Sequence, residues 1–312
     1  MAAADSRTTR PAELFPPLPL EGWEDTKQTL HRFGQIVGKI RLAAMPHMNH
    51  WWHVPFYVTT RGLTGNPMPH REMTFAIDFD FIDHKLVITT STGQVESFPL
   101  EGLSVAQFYE RVFSRLSQLG INVTILAKPY ALKPAEPFAT DTLHASYDKE
   151  YVNRYWRILV QVDQVLKEFS GRFTGKTSPV HLFWHGFDLA VTRFSGRRAP
   201  NRAGADHVTR EAYSHEVISF GFWAGDENMR APAFYSYTSP EPPGLADSSL
   251  QPSQAYWADV GGSHMALLMY DDLRKMDAPK AALLDFLESA YRAGSSVAGW
   301  DIDALTTIKL EK

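Results

Sequence analysis

The sequence predicts an α+β fold, an internal tandem duplication of an α-β-β-β-α unit with antiparallel sheets packed with helices. Three observations predict it. Trp52-His53 followed by Thr60-Arg61 recurs as Trp184-His185 followed by Thr192-Arg193, with the arginine eight residues past the histidine in both copies. A small hydroxyl residue and a glycine follow each, Thr64-Gly65 and Ser195-Gly196. A helix-like stretch precedes each motif, and an acidic residue then leads into aromatic alternation: Glu72, Phe75, Ile77 and Phe79, later Glu216, Phe220 and Phe222. A duplicated unit implies a pseudo-two-fold, which brings equivalent polar groups of both halves to one cleft.

Residues 1–20, rich in Ala, Pro and polar groups, read as a flexible N-terminal arm ending in Phe15-Pro-Pro-Leu-Pro19. The first repeat is expected over 21–127. Leu30, Phe33, Ile36, Val37 and Ile40 recur at helical spacing between Asp25 and Ala43. From Asn49 to Arg61 the period becomes two, with Trp52, Val54, Phe56 and Val58 on one face. Met73 to Phe81 alternates more strictly and pairs with Leu86 to Thr90 as an antiparallel hairpin. Ser104 is placed to cap a helix that Gly120 ends. The proline-bearing stretch 128–147 reads as the linker. The second repeat, 148–312, restarts with a helix over Tyr151 to Phe169 and a strand over His181 to Arg193. Strands over His215 to Trp223 and Ala233 to Thr238 follow, and a helix over Pro279 to Ala293 closes it. Its extra segments, Arg197 to Arg210 and Pro240 to His264, are expected to be loops over a site.

With 31 basic and 35 acidic residues, net charge -4, no basic field exists to hold a phosphodiester backbone, so nucleic acid is not an expected partner. No apolar run approaches the ~20 residues of a bilayer crossing, and Met1-Ala-Ala-Ala-Asp5 lacks the marks of a secretory signal. The expectation is a soluble cytoplasmic protein without a membrane partner. The absence of cysteine removes disulfides, thiolate metal sites and cysteine nucleophiles. A metal, if one is used, takes His or carboxylate ligands. Neither a nucleotide-binding glycine loop nor a Gly-x-Ser-x-Gly elbow is present.

The candidate site residues are polar groups in apolar company. Asp188 falls between Phe187 and Leu189, where an isolated carboxylate is costly unless paired or neutralised. It fits either a structural ion pair or a functional role. His181 and His185 share a strand face with Arg193 in this reading, and Ser214-His215-Glu216 joins an imidazole to an acid. His50 lies in the first copy. Arg61 and Arg193 end equivalent strands, where guanidinium forks suit a carboxylate or phosphate, or equally an acid on the adjacent strand. Tyr235 and Tyr237 share one strand face and serve as either core packing or pocket wall.

The blocks Ser178-Pro-Val-His-Leu-Phe-Trp184, Phe187-Asp-Leu-Ala-Val-Thr-Arg-Phe-Ser-Gly-Arg197 and Glu211-Ala-Tyr-Ser-His-Glu216 resemble a bacterial family, the domain of unknown function family 5996. Asn49-His-Trp51, Thr60-Arg-Gly62, Phe222-Trp-Ala-Gly225 and Tyr237 to Pro242 look like its other blocks, so the resemblance runs from about Trp23 to Trp300. It brings no activity with it. It does imply that the position of His185 tolerates glycine, which turns attention to His50, His181, Asp188, Arg193, His215 and Glu216.

The functional expectation is a small-molecule enzyme acting on an anionic metabolite. His181 and His215 would exchange protons, oriented by Asp188 and Glu216, while His50, Arg61, Arg193, Tyr235 and Tyr237 bind the substrate. The alternatives are a non-catalytic ligand-binding or sensor protein and a His/carboxylate metalloprotein.

Overall fold

A computed structural model describes residues 13–307 of the chain. The first half runs α1 (Glu24–Ala44), β1 (Tyr57–Val58), β2 (Gly62–Thr64), β3 (Met68–His70), β4 (Met73–Asp80), β5 (Lys85–Thr90), β6 (Val95–Pro99) and α2 (Val105–Gln118). The second runs α3 (Lys149–Gly171), β7 (His181–Phe183), β8 (Asp188–Arg198), α4 (His207–Ala212), β9 (His215–Trp223), β10 (Ala233–Ser239), β11 (Tyr256–Val260), β12 (Ser263–Met269), α5 (Tyr270–Leu273), α6 (Pro279–Val297) and α7 (Ile302–Leu305). The fold is α+β. Each half carries a six-stranded antiparallel sheet, flanked in sequence by long helices.

The first sheet has the order β1-β2-β4-β5-β6, with β3 continuing the line of β2 along β4. The second has the order β11-β12-β10-β9-β8-β7. The two meet edge to edge: the Phe56 amide donates to the Leu182 carbonyl and the Leu182 amide to the Phe56 carbonyl, both at 2.8 Å. A single hydrophobic cluster, from Phe15 to Trp300, runs through both halves. At its N-terminal end Phe15 and Leu18 are buried, and the Tyr270 hydroxyl donates to the Pro16 carbonyl at 2.7 Å. From Phe15 to Leu20 the chain is therefore packed rather than a loose arm; residues 1–12 lie outside the described residues.

Local sequence explains the helices. Ser104 accepts from the Gln107 amide while the Gln107 side chain accepts from the Ser104 amide, a reciprocal cap worth about 1 kcal/mol. In α1, Gly34 and Gly38 lie one turn apart and open a groove for the second half. A β-carbon on Gly38 would come within 2.3 Å of the Trp184 ring, and one on Gly34 within 3.2 Å of Phe187. His31 on the same helix holds the Trp184 and His185 carbonyls, at 2.9 and 3.2 Å. Burial drives its pKa down to about 3, so a neutral ring donates through Nε2.

The long strands expected over 49–61 and 181–193 are not single strands. Residues 184–187 form a turn, with Phe187 at φ 58, so His181–Arg193 is a hairpin of β7 and β8. Thr59 bends the first, its hydroxyl accepting from the Arg61 and Gly62 amides. Helix, sheet and helix recur in both halves, but with six strands each. The Trp-His motif does not mark equivalent places. Trp52-His53 follow a 3-10 turn over Asn49–Trp51 and precede β1, whereas Trp184-His185 form the tip of the β7–β8 hairpin. Nothing in the fold confirms the duplication in the register that this motif implies.

Candidate functional site

The second sheet is covered on both faces. Leu189, Val191, Ile218, Phe220, Phe222 and Phe234 form the side that packs in the core. The opposite side, with Asp188, Ala190, Thr192, Ser219, Tyr235 and Tyr237, looks into a cavity of about 450 Å³. Its roof comes from elsewhere in the chain: Lys39 and Leu42 of α1, the His50–Trp52 turn, Tyr130 of the linker, and α4. The cavity thus forms where first-half segments lie across the second sheet. A wider groove of about 730 Å³ beside α2 is open to solvent, and Glu110 is its only carboxylate.

Asp188 sits at the start of β8 on the cavity wall. The Tyr235 hydroxyl donates to its Oδ2 at 2.5 Å. Gly221 on the intervening strand makes this possible, since a β-carbon there would come within 2.5 Å of the Tyr235 oxygen and 2.6 Å of the Leu189 carbonyl. A β-carbon at 186 would lie 2.6 Å from Oδ1, so Gly186 leaves that oxygen uncrowded. Burial pushes the Asp188 carboxyl above its ordinary pKa, against the opposing pull of His185 and the Tyr235 hydrogen bond. Tyr235 and Tyr237 are held well above the usual phenol range, chiefly by burial, and remain protonated donors.

The other hydroxyls pair among themselves. Tyr213 and Tyr237 meet at 2.9 Å, and Thr192 and Ser219 at 3.0 Å. At one end His50 Nε2 accepts from the Lys176 ammonium at 2.7 Å, while its Nδ1 faces the Ala212 carbonyl at 3.3 Å. Burial first, and Lys176 next, depress its pKa. His50 and Trp51 adopt φ of 56 and 62, and Phe187 beside Asp188 adopts 58. Non-glycine residues held in this region carry local strain of about 1–3 kcal/mol each. Among the described residues, three of the seven non-glycine residues with positive φ flank this one cavity.

Of the residues singled out in the sequence, His50, His185, Asp188, Tyr235 and Tyr237 line the cavity. The others do not. His181 is 1% exposed, and burial with Arg41 nearby lowers its pKa to about 3, so it stays neutral and away from the cavity lining. His215 lies behind His50, ring centroids 5.7 Å apart, and bonds Ser214 at 3.1 Å. Glu216 faces Ser195 and Arg197, both within 2.9 Å. Arg61 pairs with Asp80 at 2.7 Å and Asp83 at 2.9 Å on the surface. Arg193 lies on the core face, 3.4 Å from the Phe169 ring centroid and 4.4 Å from that of Tyr291. It donates to the Phe169 carbonyl at the end of α3 and lines a separate cavity of about 670 Å³ with Glu288. The hairpin turn explains its displacement: alternation is broken at 184–187, so His181 and Phe183 pair with Ala190 and Asp188 on one face, and Arg193 falls on the other.

Sequence reasoning missed Lys39, Trp51, Trp52, Tyr130 and Tyr213 as cavity residues. Two signals were present, the Trp51-Trp52 pair beside His50 and the Gly34-x-x-x-Gly38 spacing that seats the hairpin. Among the described residues no group of three His, Cys, Asp or Glu side chains is arranged to hold a metal ion. No helix among them is long and apolar enough to cross a membrane. Neither the curated proteins nor the solved structures hold a significant match to the chain. A family described as "Family of unknown function (DUF5996)" matches residues 15–307, and the chain belongs to that family.

Proposed function

We propose that the protein is an enzyme that binds a small, largely apolar molecule in the cavity over the second sheet and moves a proton to or from it through Asp188. The observation that carries this reading is the Asp188–Tyr235 pair on the cavity wall. A carboxyl raised by burial is a stronger base than an exposed one and exchanges protons nearer neutral pH. Tyr235 fixes one oxygen, and Oδ1 beside Gly186 is the atom that takes or returns the proton. Trp52, Phe183, Trp184 and Phe194 provide walls that exclude water from that step. The carboxylate-and-phenol chemistry replaces the histidine pair expected from the sequence, because His181 and His215 lie outside the lining.

The test is a thermal-shift screen of small metabolites followed by a search for product. Asp188→Asn keeps the shape of the site, so it should bind the hit while turnover falls by about a hundredfold or more. Unchanged turnover in Asp188→Asn would end the proton-transfer role. The second reading is a non-catalytic ligand-binding protein, favoured by the self-paired hydroxyls Tyr213–Tyr237 and Thr192–Ser219, which suit recognition. A hit that binds and is recovered unconverted supports that reading.

A further inference from the structure

We infer that the cavity's ligand is an anion, a carboxylate on a flat apolar body, and that Lys39 is the residue that receives the carboxylate. This rests on the cavity being the ligand site. Lys39 projects from α1, lines the cavity and is only 8% exposed. Among the described residues it makes no ion pair and no hydrogen bond; its ammonium stands 5.7 Å from the ring centroid of Trp184. Burial lowers its pKa, and the like charge of Lys128 adds to the effect, with no carboxylate to oppose either.

An unpaired ammonium is unfavourable in an apolar site, and long lysines ordinarily relieve that by reaching to water. Lys39 has little surface with which to do so: only 8% of it is exposed, and its ammonium stands beside the Trp184 ring at the cavity wall. A ligand carboxylate relieves the same cost directly, through a charge-assisted hydrogen bond in a water-poor setting.

The rest of the lining agrees in charge and shape. Asp188 is its only carboxylate, and Tyr235 engages it; His50, His185 and Lys39 supply the remaining titratable nitrogens. Lys176 behind His50 has no acidic partner among the described residues either, lying 5.3 Å from the Trp52 ring centroid and 4.9 Å from that of Phe194. The walls are aromatic, and about 450 Å³ accommodates a bicyclic ring with one substituent. Leu42, Tyr130 and Val208 line the opening and are 37%, 51% and 44% exposed, an apolar rim that suits entry of an apolar body.

The experiment is calorimetric titration at neutral pH with naphthoate and with its neutral counterpart naphthamide, on the wild type, Lys39→Met and Lys39→Arg. The wild type should bind naphthoate about tenfold or more tightly than naphthamide. Lys39→Met should erase that preference while leaving naphthamide binding unchanged, and Lys39→Arg should retain it. Equal wild-type affinity for the two compounds, or a preference that survives in Lys39→Met, overturns the assignment while the cavity reading stands. Binding of neither compound to the wild type defeats both.

Discussion

The two sheets are built from the same kind of strand yet meet different surroundings. In the first, β4 and β5 alternate between buried and half-buried residues, as one covered face requires. In the second, β8 from Leu189 to Phe194 is buried except for half-buried Thr192, and β9 is buried throughout Val217 to Phe222, because helices lie on one side and the cavity roof on the other. The same residue type is therefore treated in opposite ways. Asp80 of the first sheet meets a half-exposed guanidinium and two backbone amides; Asp188 of the second meets a phenol and aromatic walls. A polar residue on a doubly covered sheet must find a partner inside or line a cavity, and this is why the candidate site lies on the second sheet.

The arginines of the repeated motif test this contrast most strongly. Arg193 is 1% exposed; burial pulls its pKa down to about 10, with Glu288 and Tyr291 opposing, so it remains charged at neutral pH. Arg193→Met keeps most of the volume but removes the bond to the Phe169 carbonyl and the contacts with Phe169 and Tyr291. The expected loss is about 2–3 kcal/mol in denaturant unfolding. Arg61→Met, at the matching place in the motif, should cost less, since the Arg61 side chain is half exposed and Asp80 keeps the Ile82 and Asp83 amides. Equal effects at the two positions would break the contrast.

A smaller effect isolates the cavity face. Gly221→Ala places a β-carbon against the Tyr235 hydroxyl and the Leu189 carbonyl, and the backbone oxygen cannot step aside easily. Overpacking of this kind costs about 1–3 kcal/mol. It should also separate Tyr235 from Asp188, read as a fall in the Asp188 pKa-dependent change of tyrosine absorbance on pH titration. A variant as stable as the wild type, with the titration unchanged, would show that the strand has room the geometry denies.

Much of the fold was legible in the sequence because burial leaves a period. α1, α2, α3 and α6 were each written in helical spacing, and Ser104 announced its helix start. The hairpin of β4 and β5 was written in strict alternation. What failed was continuity. The stretch His181–Arg193 was apolar and alternating enough to pass for one strand, and only the left-handed Phe187, invisible to composition, reverses it. That single turn moved Arg193 to the core face and left Asp188 at the cavity. The site was half legible for the same reason: Asp188, His50, Tyr235 and Tyr237 stood out as polar or phenolic groups among apolar ones, whereas Lys39 belongs to α1 and reaches the site only through tertiary packing. Long-range partners of this kind have no local signature.

The smallest predicted effect is also the one with the least ambiguous sign. For Asp80, desolvation acts upward, but the Arg61 hydrogen bond and the Asp83 and Ile82 amides outweigh it, so its pKa is lowered in the folded protein. It contributes stability above its unfolded pKa and loses it as pH falls through the lower folded value. Asp188 is shifted the other way. Its folded pKa exceeds the unfolded one, so between the two values the native state binds the extra proton and stability declines as pH rises. Asp188→Asn carries no charge to bury and still accepts from Tyr235. Its melting temperature relative to wild type should therefore be higher at neutral pH than at pH about 4, near the unfolded carboxyl value. Asp80→Asn should show the reverse, losing more at neutral pH than in acid. Parallel pH profiles for the two variants would mean that the carboxylates share one environment, and the distinction between a guanidinium-paired carboxylate and one facing a phenol among aromatic walls would lose its electrostatic support.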